Sequence, residues 1–287
     1  MSNNIGNKLP RTWFITGASS GFGMAFAQFA LERGDNVVAT GRSVGKLDAL
    51  VAQAPDRVLA QKLDVTKAAD IQPAVDAAVR RFGRIDYLLN NAGYGIVGAV
   101  EETAENELRA VLDTNFFGAV AVTRAALPVM RKQGSGVIVN ISSMGGQMSF
   151  EGVGAYSASK FALEGMSEAL ALEVAPFGVK VLIVEPGAFR TDFGAQALRH
   201  MPVMAAYKDV LANIRGVLHG MDGAQPGDPA KAARAVALAI ESDTTPLRLQ
   251  LGADSIAAVR AHAEQLLKDL ATWERVGTET SLDRTAA

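Results

Sequence analysis

Residues 12–23 read Thr-Trp-Phe-Ile-Thr-Gly-Ala-Ser-Ser-Gly-Phe-Gly. A short apolar run gives way to glycines at positions 17, 21 and 23, and a helical pattern then runs from Gly21 to Arg33 and stops at Gly34. Glycines without a Cβ let the backbone approach a pyrophosphate, and the N–H groups and dipole at a helix start favour its charge. The same glycines can also serve only as a tight turn between a strand and a helix. A third reading takes Gly17-Ala18-Ser19-Ser20-Gly21 as a Gly-x-Ser-x-Gly nucleophile elbow with Ser19 attacking an ester. That chemistry needs a downstream acid and a histidine. The available histidines, His200, His219 and His262, do not directly follow a strand-like run and lack metal-ligand spacing.

Outward from this stretch the chain alternates. Most of the strand-like runs at Thr12–Thr16, Asn36–Thr40, Arg57–Lys62, Asp86–Asn90, Gly136–Ile141, Val179–Glu185 and Leu247–Leu251 are near-continuously apolar, the pattern of strands buried on both faces of a parallel sheet. Helical stretches separate them: Ile71–Phe82 with Asp70 as N-cap and Pro73 in the first turn, Thr103–Arg131 with a break, Ala155–Ala175, and one opened by Asp228-Pro229 and running to Ile240. Such alternation predicts an α/β fold: one doubly wound (Rossmann) domain over residues 1–287, with a seven-stranded, mostly parallel sheet and helices on both faces. Residues 188–227 are read as a strandless insertion past a strand's C-terminal end, placed to cover a ligand. A C-terminal helical extension is expected at about 253–276, followed by a polar tail over 277–287.

Composition narrows the function classes. With 287 residues and 49% hydrophobic, the chain can bury a core without covalent staples. The cysteine count of 0 excludes a disulfide framework, a thiol nucleophile and cysteine-ligated metal, and fits a cytoplasmic protein. A formal net charge of -2 gives no excess for nucleic acid or an anionic membrane. The short clusters Arg80, Arg81, Arg84 and Arg131, Lys132 lie at helix ends, where they complement the dipole. No signal peptide and no spanning segment are expected, and no metal site.

Tyr156 and Lys160 stand four apart, so on a helix they share a face. A phenol ordinarily titrates near ~10, and a neighbouring ammonium lowers that value, so Tyr156 could exchange a proton with a carbonyl or alcohol oxygen. Ser143 follows the Gly136–Ile141 run, where its hydroxyl can bond an oxygen that develops charge; adjacent Ser142 is the rival candidate.

Gly17, Gly21 and Gly23, then Asn90-Asn91-Ala92-Gly93, Asn115, Ser143, Tyr156-Ser157-Ala158-Ser159-Lys160, Pro186-Gly187 and Thr191, occur in one order. In this the chain resembles the tyrosine-dependent short-chain dehydrogenase/reductase family, from about Thr12 to Leu251. The resemblance implies hydride transfer between a nicotinamide cofactor and a carbonyl/secondary alcohol pair, with Asn115, Ser143, Tyr156 and Lys160 catalytic. Asn115 would hold a water in the proton path to Lys160, or merely kink its helix. The implied cofactor-binding set is Gly17, Ser19, Gly21, Phe22, Gly23, Arg42, Asp64, Val65, Asn91, Ala92, Gly93, Tyr156, Lys160, Pro186, Gly187 and Thr191. The second strand ends Thr40-Gly41-Arg42 with no acid for a ribose hydroxyl, and Arg42 can pair with a 2′-phosphate, which favours NADP over NAD. Many NADP-using members also carry a basic residue where this chain has Ser20. Tyr94, Ile96, Met144, Met148 to Phe150, and Phe189 to Tyr207 are the expected pocket contributors, and the methionines suit a lipophilic substrate. A homodimer or homotetramer is implied. The competing readings are a non-catalytic dinucleotide-binding regulator and a serine hydrolase using Ser19.

Overall fold

A computed structural model describes residues 9–221 and 223–282, without the side chains of residues 195 and 196. Its strands are β1 (Thr12–Ile15), β2 (Asn36–Gly41), β3 (Val58–Lys62), β4 (Tyr87–Asn90), β5 (Gly95–Val97), β6 (Gly136–Ile141), β7 (Val179–Pro186), β8 (Leu198–His200) and β9 (Arg248–Leu251). The α-helices are α1 (Gly21–Glu32), α2 (Asp48–Gln53), α3 (Ala68–Phe82), α4 (Glu105–Leu112), α5 (Ala119–Gln133), α6 (Gly154–Val174), α7 (Phe193–Gln196), α8 (Ala212–Gly220), α9 (Pro229–Glu241) and α10 (Ala253–Thr278).

Seven strands make one sheet in the order β3-β2-β1-β4-β6-β7-β9, and every pairing in it is parallel rather than most. Side chains alternate across a strand, so each strand feeds two cores. In β1, Trp13 and Ile15 pack with Val37, Ala39 and Leu89 beneath α1 and α9, where Phe26, Ala30, Ala233 and Val236 close the layer. Phe14 packs instead with Val38, Leu88 and Ile138 against α3 and α5. Both faces of the central strands are covered, which is why most of the strands read as near-continuous apolar runs. The strand order reverses direction between β1 and β4, and chemistry in such sheets collects at the C-terminal edge beside that reversal.

Several local expectations change. Asp228 caps α9 as read, its Oδ1 accepting from Ala230 N at 2.8 Å. Asp70 does not cap α3: the helix starts at Ala68 behind Lys67, and the Asp70 carboxylate accepts from Asp64 N at 3.1 Å. Pro73 therefore sits inside the helix rather than in its first turn. The break in 103–131 is a wider π-turn at Asp113–Gly118, separating α4 from α5. The 188–227 segment is not strandless, because Leu198–His200 pairs in parallel with β5 in a second, two-stranded sheet. Of the 277–287 tail, residues 283–287 lie outside the described residues, and α10 runs on to Thr278.

Polar side chains tie two long helices to the sheet centre. Asn90 Nδ2 donates to Thr123 Oγ1 of α5 at 2.9 Å and to Asn140 Oδ1 at 2.8 Å. Asn140 Nδ2 donates to Ser167 Oγ of α6 at 2.7 Å. All four residues are buried. Asn140→Ala would strand polar atoms of Asn90 and Ser167, so urea unfolding should show a stability loss of about 1–3 kcal/mol. A loss below about 0.5 kcal/mol, the scale of an ordinary surface substitution, would contradict this role.

Candidate active site

The turn after β1 is fixed by its neighbour across the strand reversal. Thr16 Oγ1 donates to Leu89 O at 3.2 Å and accepts from Asn91 N at 2.9 Å and Ala92 N at 3.0 Å. Asn91 Nδ2 donates back to Thr16 O at 2.9 Å and Gly17 O at 3.1 Å. Thr16 was not among the expected site residues, although a hydroxyl at a strand end before glycine is the signal that could have named it. Gly17 sits at φ +65, and a Cβ there would lie 3.0 Å from Ala92 Cα; one on Gly23 would lie 2.3 Å from Gly17 O. The first turn of α1 has no acidic residue, and Ser20 at its N-cap forms no side-chain cap bond. Its N–H groups are left for an external anion, so this turn fits the pyrophosphate of a dinucleotide.

Other expected cofactor residues surround this turn. A Cβ on Gly21 would lie 3.4 Å from Thr191 Cβ, so the loop after β7 faces the glycines. Pro186 ends β7, and Gly187 N donates to Leu251 O at 2.9 Å. The Phe22 ring packs on Phe189 with centroids 5.1 Å apart. Ser19 lies against the end of β2, where a Cβ on Gly41 would be 3.8 Å from its Oγ. Beyond it Arg42 is exposed, and no acidic residue ends β2. Asp64 faces Arg42: burial pushes its carboxyl up, but bonds from Thr66 and the charges of Lys67 and Arg42 outweigh this and hold it below the usual carboxylate range. The Val65 side chain is buried, against Gly118.

Tyr156 and Lys160 lie on the first turns of α6, beside the loop that leaves β6. Burial pushes the Tyr156 phenol up to about 12, and hydrogen bonding from Ser143 opposes that only in part. Burial pushes the Lys160 ammonium down to about 8, and the negative charge of Glu164 works against it. The spacing had implied a phenol lowered by its lysine. The structure reverses that expectation: Lys160 Nζ stands 5.7 Å from the Tyr156 ring centroid and donates to Ile141 O at 2.8 Å, while both groups are desolvated. Ser143 Oγ also accepts from Gly145 N at 3.0 Å, whereas the Ser142 hydroxyl is turned away and donates to Glu164 Oε1 at 2.6 Å.

Asn115 occupies the π-turn and joins three segments. Its Oδ1 accepts from Tyr94 N at 3.0 Å, and its Nδ2 donates to Tyr94 O and Ser159 Oγ, each at 2.9 Å. A Cβ on Gly93 would stand 3.0 Å from Asn115 Oδ1 and 3.6 Å from Lys160 Nζ. The 91–93 turn, Asn115 and Lys160 thus converge.

Beneath the Ser143 loop lies a buried ionic group that the sequence reading missed. Arg248 Nε stands 3.2 Å from Glu164 Oε2 and 3.2 Å from Glu185 Oε1, and Gln147 donates to both carboxylates. Burial pushes the Glu185 carboxyl up to about 7; Gln250, which donates at 2.8 Å, opposes this, and the like charge of Glu164 adds to it. The signal was available for Glu164, since Tyr156, Lys160 and Glu164 recur at steps of four along one helix face.

The 188–227 segment approaches Tyr156 from outside. Phe193 stands 6.0 Å from the Tyr156 ring, centroid to centroid. Buried Glu102 pins the segment, accepting from Ala99 N at 2.7 Å and Met204 N at 2.8 Å and pairing with Arg215 at 2.5 Å. Burial pushes the Glu102 carboxyl up, yet these bonds outweigh it and keep it ionised below the usual range. Of the expected pocket residues, Ile96 is buried within β5 and Phe189 is turned to Phe22, while Met201 covers Gly98. Among the described residues no histidine bonds Ser19; His200 and His219 are exposed, and no acidic/histidine group could hold a metal.

The sequence pattern described as short chain dehydrogenase matches residues 11–202. The chain is 48% identical over 188 residues to a 3-ketodihydrosphingosine reductase of Bacteroides thetaiotaomicron, covering 64% of this chain and 66% of that protein. A short-chain dehydrogenase from Streptomyces avermitilis superposes with a TM-score of 0.89 at 49% identity, covering 94% of this chain and all of that one. A Burkholderia phymatum short chain dehydrogenase/reductase in complex with NAD has a TM-score of 0.79 at 26% identity, covering 91% and 95%. Sequence, sheet order and these matches agree: the chain belongs to the short-chain dehydrogenase/reductase family, oxidoreductases that bind NAD(P) and act between CH–OH and C=O.

Proposed function

We propose that this protein is an NADP(H)-dependent oxidoreductase that interconverts a lipophilic carbonyl compound and its secondary alcohol. The observation that carries the reading is the convergence of Ser143, Tyr156 and Lys160 at the sheet edge, beside an uncapped helix start. When bound, the nicotinamide supplies or accepts the hydride. The remaining work falls to the chain. Ser143 donates a hydrogen bond to the substrate oxygen, which gathers negative charge as the carbonyl is reduced. Tyr156, protonated through the physiological range, gives that oxygen its proton. Lys160, charged below about pH 8, favours the phenolate left behind and would hold the nicotinamide ribose. Asn115 holds the Tyr94 backbone and α6 in register for this transfer.

Gly17, Ser19, Gly21, Phe22 and Gly23 would cradle the pyrophosphate, with Asn91, Ala92 and Gly93 beneath. Asp64 and Val65 would flank the adenine, and Pro186, Gly187 and Thr191 the carboxamide. The NADP preference rests on exposed Arg42 and on the absence of an acid at the end of β2. The lipophilic substrate class rests on the Met201–Met204 stretch of the 188–227 lid and on the Bacteroides thetaiotaomicron relative, whose name gives 3-ketodihydrosphingosine as its substrate. We assign residues 1–287 to one catalytic domain in a cytoplasmic homo-oligomer. The hydrolase reading has no support, since Ser19 lacks a histidine partner.

Tyr156→Phe should lower reduction of a panel of long-chain ketones by a factor of about 10² or more while NADPH still quenches protein fluorescence on binding. Full turnover in that variant would overturn the mechanism. Arg42→Ala should weaken NADPH at least about tenfold, the loss of one charge-assisted pair, and leave NADH nearly unchanged; equal effects on both would remove the case for NADP. The pH dependence follows from Lys160. Its lowered value means the cation is present below about 8 and lost above it, so kcat/KM for reduction should be flat from pH 6 to 7.5 and fall through an alkaline limb near 8. A profile that rises across that window would contradict the assignment.

A further inference from the structure

We propose that α10 is an association helix that pairs antiparallel with α10 of a second copy of this chain. Among the described residues the helix is anchored only at its start, where Asp254 Oδ2 accepts from Ala188 N at 2.7 Å and Ser255 Oγ donates to Glu185 O at 2.8 Å. From Ala263 to Thr278 every residue is exposed, a length of about 24 Å at ~1.5 Å per residue. A helix gains most of its stability by burying an apolar face, and from Ala263 onward none of the described residues covers the one this helix carries. Ile256, Val259, Ala263, Leu266, Leu270, Trp273 and Gly277 recur at alternating steps of three and four, the spacing of a coiled-coil seam. Leu266, Leu270 and Trp273 are 55%, 65% and 65% exposed.

The occupant can be read from the seam itself. A parallel pair would bring Asp269 beside the partner's Glu274 and crowd both protein bodies at one end. Turned antiparallel about a two-fold axis near Lys268, the same seam becomes self-complementary. Small Ala263 then receives the partner's Trp273, and Leu266 meets the partner's Leu270. Along one flank Arg260 faces the partner's Glu274, and Leu267 meets the partner's Leu267. The bodies fall at opposite ends of the pair. One contact opposes the fit: Asp269, which accepts from Gln265 at 2.7 Å, lies near its own copy at the axis. A flat membrane surface would use the apolar stripe but not these charge pairs.

The test uses the full chain and sedimentation equilibrium. Leu266→Glu/Leu270→Glu should halve the molar mass of the assembly at the same protein concentration, with far-UV circular dichroism showing the body folded. An unchanged mass would overturn the proposal. Arg260→Glu should weaken association about three- to tenfold, and Arg260→Glu/Glu274→Arg should restore it, since the two exposed pairs contribute modestly but in register. Asp269→Asn should tighten it. A double charge reversal no better than Arg260→Glu alone would contradict antiparallel self-pairing.

Discussion

The Thr16 side chain is the join on which the site depends. One hydroxyl bonds the ends of β1 and β4, at the place where the strand order reverses, and the Asn91 amide returns two bonds to the glycine turn. A parallel sheet covered on both faces leaves only its strand ends for chemistry. At this edge the crossovers also diverge to opposite faces, so a groove opens with no side chain needed to shape it. The join sets the separation between the turn that fits a pyrophosphate and the 91–93 turn that touches Asn115 and Lys160. The remaining pieces, α5 behind the π-turn, the Ser143 loop and α6, are referred to the same sheet through the Asn90–Thr123 and Asn90–Asn140–Ser167 bonds.

Desolvation governs the chemistry of the site. Tyr156 and Lys160 are pushed in opposite directions, each toward its neutral form, and the carboxylate of Glu164 one turn below restores part of the lysine's charge. Glu164 also bonds Ser142 and Gln147, so one buried group supports the Ser143 loop while acting electrostatically on Lys160. Arg248 keeps that carboxylate from standing alone in the interior, and it pairs with Glu185 as well. A lone buried charge would cost several kcal/mol, which is the physical reason the group comes as a cluster drawn from four elements.

The fold was legible because most of its strands are near-continuously apolar and because glycine, Asp-Pro and Gly34 punctuate the helices with specific backbone meaning. The order of β1, the glycine turn and α1, and the pairing of Tyr156 with Lys160, could be placed for the same reason. What escaped was non-local. Leu198–His200 is too short to show a period and becomes a strand only because β5 offers it an edge. The Arg248–Glu164–Glu185 cluster joins residues more than 60 positions apart. For Tyr156 the spacing points to a downward shift and burial to an upward one, since spacing reveals which charges are near and says nothing of how much water is lost.

The most direct test of this account is an NMR titration of Tyr156 in protein carrying ¹³Cζ-tyrosine, its resonance among the 4 tyrosines assigned with Tyr156→Phe. Burial as the dominant cause predicts a Tyr156 signal that stays at its neutral position past the ordinary phenol value of ~10. A midpoint near pH 7 to 8 would show that the Lys160 charge outweighs desolvation, and would contradict the claim that this edge holds its proton donor ready by excluding water.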